Sequence, residues 1–185
     1  MNKKILKITM LLIILCAVGV FSAKAQVKGN AAVGGNLTIG MGDEYTNTAL
    51  GTKFQYNVSN PIRMEGSFTY FFKKDFFSMW DLSINGHYLI DLPNPKFFAY
   101  PIVGLSLMGA KFNAPFGGIS WGYDEDYYDD GSDSSTNFGF NLGGGIEYTL
   151  TDRININAEV KYRISLEESF LADRFLISFG AIYKF

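Results

Sequence analysis

Cysteine is almost missing from this chain: Cys16 is the only one in 185 residues, and it lies in the apolar stretch near the amino terminus. Beyond residue 25 there is no thiol for a disulfide, a metal or a nucleophile, so an exported domain here must be held together by other means. A helical period is missing too, because no stretch after residue 25 repeats its apolar residues every three to four positions. Histidine occurs once, as His87. Basic charge is scarce: four of the 16 Lys and Arg residues (Lys3, Lys4, Lys7, Lys24) lie in the first 25 positions, leaving 12 against 18 acidic residues. That balance argues against nucleic acid as a partner.

The one long apolar run is at the start. "MNKKILK" is a basic head, "ITMLLIILCAVGVFS" an apolar segment, and Ala23-Lys24-Ala25 a small-residue site. This is the pattern of a secretory signal peptide cleaved after Ala25. An uncleaved anchor would need about 20 apolar residues. Leu15 precedes Cys16 where a lipidated terminus would want a small residue. The expected organisation is a leader over 1–25 and one β-barrel domain over 26–185.

What is present is alternation. "RININAEVKYRI" (153–164) puts Ile154, Ile156, Ala158, Val160, Tyr162 and Ile164 on one parity and Arg153, Asn155, Asn157, Glu159, Lys161 and Arg163 on the other. On a strand these become two opposite faces. Eight such runs can be read, at 27–42, 48–59, 62–72, 77–90, 97–110, 136–150, 153–165 and 174–185. The connections alternate between short turns (Asn60-Pro61, 91–96, Thr151-Asp152) and segments that are mostly longer and more polar (43–47, 72–76, 111–135, 166–173). An even number of strands with this alternation is the layout of a transmembrane antiparallel barrel.

The faces decide which side meets solvent. Eight strands enclose a space only wide enough for side chains. With 17 Phe and 11 Tyr in the chain, the apolar parity would overfill it. The polar parity carries the small residues Gly34, Gly104, Gly139, Gly143, Gly145 and Gly180, which suit a narrow lumen and leave some free space there. The fold class expected is therefore all-β, an eight-stranded antiparallel transmembrane β-barrel, with isoleucines and aromatics toward lipid and the charges of 153–164 toward the lumen.

The segment "GGIEYTLTDRININAEVKY" (144–162) resembles the hairpin of strands six and seven in OmpA-type outer-membrane barrels. With the leader, the eight runs and the terminal Phe185, the resemblance spans 26–185. It implies a short-form OmpA-like or porin-family protein of a Gram-negative outer membrane, inserted by the barrel-assembly machinery and surrounded by outer-membrane lipid and lipopolysaccharide. Family members serve as structural proteins, narrow pores or adhesins. The family's gate uses a lumenal Glu, matched by Glu147, with an Arg whose position is Asn157 here. Glu159, Lys161, Lys53, Arg63 and Glu65 are the candidate substitutes.

Lys53, Arg63, Glu65, Asp81, Glu147, Glu159, Lys161 and Arg163 are expected to form a lumenal ion-pair network, since confined charges must be paired or hydrated. That network either plugs the barrel or gates a narrow path for small solutes or ions. The 111–135 segment carries "WGYDEDYYDDGSDSS", whose Asp124, Asp126, Asp129, Asp130 and Asp133 offer oxygen ligands for a divalent cation or an acidic surface for an extracellular partner. The spacing does not match an EF-hand loop, so no metal is assigned. No cofactor is implied. A lipid-modifying enzyme would need His87 paired with a serine; Ser83 is four residues away on the same face, roughly 13 Å along a strand, so no catalytic residues are assigned.

Overall fold

The computed structural model describes residues 28–42, 46–74, 77–113, 132–166 and 173–185. They form β1 (Ala31–Met41), β2 (Thr46–Asn57), β3 (Ile62–Lys74), β4 (Phe77–Tyr88), β5 (Ile90–Asp91), β6 (Phe97–Asn113), β7 (Ser132–Thr149), β8 (Ile154–Ser165) and β9 (Arg174–Lys184). Every neighbouring pair is antiparallel. β1 pairs with β9, and β4 pairs with β6, so the sheet closes on itself. The two-residue β5 continues the line of β4 along β6: His87 faces Ile102, and Ile90 then faces Ala99. Nine segments thus make eight staves, as the alternating runs predict. Closure leaves no open edge, which is what allows a sheet this apolar on one face to persist without disulfides.

Short turns gather at one end. In the 92–96 turn, Asn94 Oδ1 accepts from the Lys96 amide at 3.0 Å. In the next, Thr151 Oγ1 accepts from the amides of Arg153 and Ile154 at 3.3 and 3.0 Å. The Asn60-Pro61 turn, with its cis peptide, and Phe185, whose amide donates to the Ala31 carbonyl at 3.0 Å, lie at the same end.

At the opposite end β6 and β7 run longer than the alternation suggests, pairing as far as Asn113 with Ser132. The 111–135 segment, read as loop, is therefore strand over 111–113 and 132–135. Asp133 sits in β7, its backbone opposite Phe112. Asp124, Asp126, Asp129 and Asp130 lie outside the described residues, as does the segment 1–25 expected to be a leader.

The two faces separate as predicted. Leu37, Ile84 and Phe138 are 61–62 % exposed on the outside, while Arg63, Glu65 and Arg163 are at most 1 % exposed inside. The inside is not uniformly polar, however. Ala49, Phe71, Met79, Met108, Ala110 and Leu176 form an apolar cluster within the lumen toward the long-loop end. The 62–72 run carries Phe71 on the parity of Arg63 and Glu65, and the lumen uses it.

Candidate functional site: the charged lumen

Nearest the short turns, Arg63 of β3 is the organising residue. Its Nη1 donates to Glu147 Oε2 of β7 at 2.9 Å. Its Nε donates to His87 Nδ1 at 3.2 Å. Its guanidinium lies 4.8 Å from the centre of the Tyr100 ring, on which His87 also stacks at 4.8 Å. Asn155 Nδ2 completes the acid's shell by donating to Glu147 Oε1 at 2.5 Å. Below this layer a pocket lined by Asn57, Arg63, Glu147, Asn155 and Lys184 has an internal volume of about 10 Å³, room for about one water.

The next layer centres on Glu159 of β8. Its Oε1 accepts from Lys53 Nζ at 2.9 Å, from the Tyr100 hydroxyl at 2.9 Å and from Asn157 Nδ2 at 2.7 Å. Lys53 also lies 3.4 Å from Glu65, whose Oε2 accepts from Gln55 Nε2 at 2.8 Å. Lys161 Nζ sits 3.8 Å from Glu159 Oε2. Each carboxylate is met by a cation and by neutral donors, the arrangement that lets charge survive out of water.

A third layer holds Asp81, which accepts from the Ser83 hydroxyl and lies 3.8 Å from Arg163 Nε. That same Nε donates to Ser106 Oγ at 2.9 Å, and Arg163 Nη2 donates to the Asn137 carbonyl at 2.9 Å. Asn141 Nδ2 bridges to Ser83 Oγ and Asn85 Oδ1, both at 3.1 Å. Above it lies the apolar layer, with the Arg174 guanidinium 5.8 Å from the Phe71 ring and its Nη1 3.8 Å from Met79 Sδ.

All eight sequence-predicted lumenal charges are buried in the interior. The partner of Glu147 is Arg63, on β3, and Asn157 serves Glu159 instead. Two further lumenal residues stand out. Tyr100 links the Arg63 and Glu159 layers; it shares the parity of Gly104, so the lumenal face of the 97–110 run includes it although it is not among the expected site residues. Its parity with Ser106, opposite the polar Ser83, is the signal that could have found it. Arg174 shares parity with Ser178 and Gly180, so the same rule would have placed it inside.

Two expectations are corrected. The lumenal glycines do not leave free space, because neighbouring side chains fill it. A Cβ on Gly145 would lie 2.6 Å from the Tyr100 ring, and one on Gly139 would lie 2.9 Å from the Arg163 guanidinium carbon. Arg153 does not face the lumen. It is exposed at the turn and its Nη1 donates to the hydroxyl of outward-facing Tyr183 at 3.2 Å, because beyond the last ladder pair the strand parity no longer constrains it.

A closed sheet with its charges inside and its aliphatic side chains outside is stable only in lipid. The Outer membrane protein beta-barrel domain family matches residues 12–185. The chain belongs to that family. It is a small OmpA-like outer-membrane β-barrel, crossing the bacterial outer membrane many times. Among solved structures, this outer-membrane barrel is similar to Neisserial surface protein A, with a TM-score of 0.64 and 14 % identity over 84 % of this chain and 96 % of that one. It is also similar to the N-terminal β-barrel domain of Pseudomonas aeruginosa OprF, with a TM-score of 0.62 and 14 % identity over 86 % of this chain and all of that one (100 %). A third is Ail, the attachment invasion locus protein of Yersinia pestis, with a TM-score of 0.56 and 17 % identity over 86 % and 100 % of the two chains. At these identities the likeness concerns the fold. No curated protein matches the barrel by sequence.

Proposed function

We propose that this outer-membrane barrel works as a closed structural element of the envelope that presents a surface for interaction, and that it is neither an enzyme nor an open pore. The observation that carries the reading is the filled lumen: paired charges at most 1 % exposed (Arg63, Glu65, Glu147, Arg163) are stacked beneath an apolar layer around Phe71. A pore would need a continuous wet path through both. His87 is held by Arg63 and Tyr100, and Ser83 donates to Asp81, so the serine–histidine pair of a hydrolase is not assembled.

The interaction surface in this reading is the long-loop end, where the 111–135 segment concentrates acid and tyrosine. Ail, whose name denotes attachment and invasion, has also been solved with a heparin analogue, sucrose octasulfate. The acidic character of "DEDYYDDGSD" here suits a basic partner or a divalent cation rather than a polyanion. Outer-membrane lipid, lipopolysaccharide and, during insertion, the barrel-assembly machinery are its other expected partners.

The test is planar-bilayer conductance of the folded barrel beside a Glu147→Ala variant. Silence from both, with insertion verified, is expected. Discrete steps that change with the substitution would favour the second reading, a narrow gated pore for small solutes or ions with Arg63–Glu147 as its latch.

A further inference from the structure

On the lipid face, near the short-turn end, the surface is not smooth. Ala158 of β8 lies in register between Ile146 of β7 and Phe179 of β9. One row closer to the turns, Ile156 stands between Tyr148 and Ala181. Tyr148 packs against Phe97 with ring centres 4.7 Å apart. The small Ala158 among these bulky neighbours leaves a cleft of about 450 Å³ lined by Phe97, Ile146, Tyr148, Ile156, Ala158 and Phe179.

The rim beside this cleft is charged. Arg153 lies three residues below Ile156, about 10 Å along the strand. Its guanidinium is held on the outer surface by the Tyr183 hydroxyl. Lys96 is exposed at the adjacent turn, directly before Phe97, and its carbonyl accepts from the Thr149 amide of β7 at 2.8 Å. Asp152 is the acid beside Arg153 on the same turn. A cation held on the outer surface at the turn end of an apolar cleft offers a contact for a phosphate group beside room for its acyl chain.

We propose that this cleft binds one anionic phospholipid of the periplasmic leaflet, an acyl chain over Ala158 and the phosphate against Arg153 and Lys96. The short-turn end of such barrels faces the periplasm, where the leaflet is phospholipid, so lipopolysaccharide is not the occupant. The proposal uses only the membrane setting of the barrel and is independent of whether the lumen conducts.

The test is native mass spectrometry of the folded barrel released from detergent containing equal phosphatidylglycerol and phosphatidylcholine of identical chains. The expected result is one retained phosphatidylglycerol, at least fivefold favoured over phosphatidylcholine. Ala158→Phe, which fills the cleft with an apolar group on a lipid-exposed surface, should abolish retention. The double variant K96Q/R153Q should keep a lipid but lose the preference. Equal retention of the two lipids by the unmodified barrel would overturn the proposal. So would undiminished phosphatidylglycerol on folded Ala158→Phe, or a dimer that Ala158→Phe dissolves. If Ala158→Phe does not fold, the K96Q/R153Q comparison decides, and an unchanged lipid preference there refutes the phosphate contacts.

Discussion

The two ends of the lumen exclude water by opposite means. Toward the short turns, Arg63, Glu147, Lys53, Glu65 and Glu159 are interlocked by hydrogen bonds with Tyr100, Asn155 and Asn157. Toward the long loops, Phe71, Met79, Met108 and Leu176 pack with Ala49 and Ala110, and the Arg174 guanidinium beside them meets a ring and a thioether. A polar network is stable only while every member has its partner, so losing one is costly. An apolar layer fails gradually, by cavity and contact area. The lower half is built to fix register and the upper half to seal.

The strongest way to break this comparison is Arg63→Ala. It strands the buried Glu147 carboxylate and removes the donor to His87, and a loss of about 3–5 kcal/mol is expected, read from urea unfolding in lipid vesicles. Phe71→Ala at the other end should cost about 3 kcal/mol, but with a different companion effect. It should raise water permeation through the barrel, measured as proteoliposome swelling or shrinkage, whereas Arg63→Ala should not while the apolar layer stands. Equal permeation in both variants would mean that the sealing layer is misplaced.

The outer face offers a control. Ile84 is 62 % exposed to the surroundings, and Ile84→Arg should cost about 2–4 kcal/mol if it sits near the bilayer midplane, less toward an interface. In a water-solvated sheet the same change would be close to neutral, so a negligible cost in vesicles would contradict the lipid-facing assignment. The smallest expected effect is Gly145→Ala, whose Cβ would press on Tyr100 at 2.6 Å. Overpacking of this kind costs about 1–3 kcal/mol, and the displaced tyrosine would be visible as a shift of its ring resonances. Unchanged stability and resonances would show that Tyr100 has room the fold does not reveal.

Much of the architecture is legible in the sequence. The strict alternation in 153–164 identifies a two-faced ribbon, and the glycines sharing parity with charge indicate which face is inside. Parity fails where the ladder stops. Arg153, just outside β8, turns outward to Tyr183 although its register predicts the lumen. Asp133 lies in a strand and not in a loop; the polar run "SDSST" carries no apolar face to betray it. Phe71 was hidden for the converse reason, an aromatic on the lumenal parity of a run whose other aromatics face lipid.

The sequence by itself determined the barrel, its inside and outside, and the eight charges that share the lumen, because a period of two maps directly onto two faces. Which acid meets which base was decided only by the tertiary structure. Arg63 reaches Glu147 across 84 positions, and Lys53 reaches Glu159 across 106. Those distances are set by strand tilt, closure of β1 against β9 and the stagger of the ladder. No local pattern encodes them, since pairing across a closed sheet depends on the register of every strand at once.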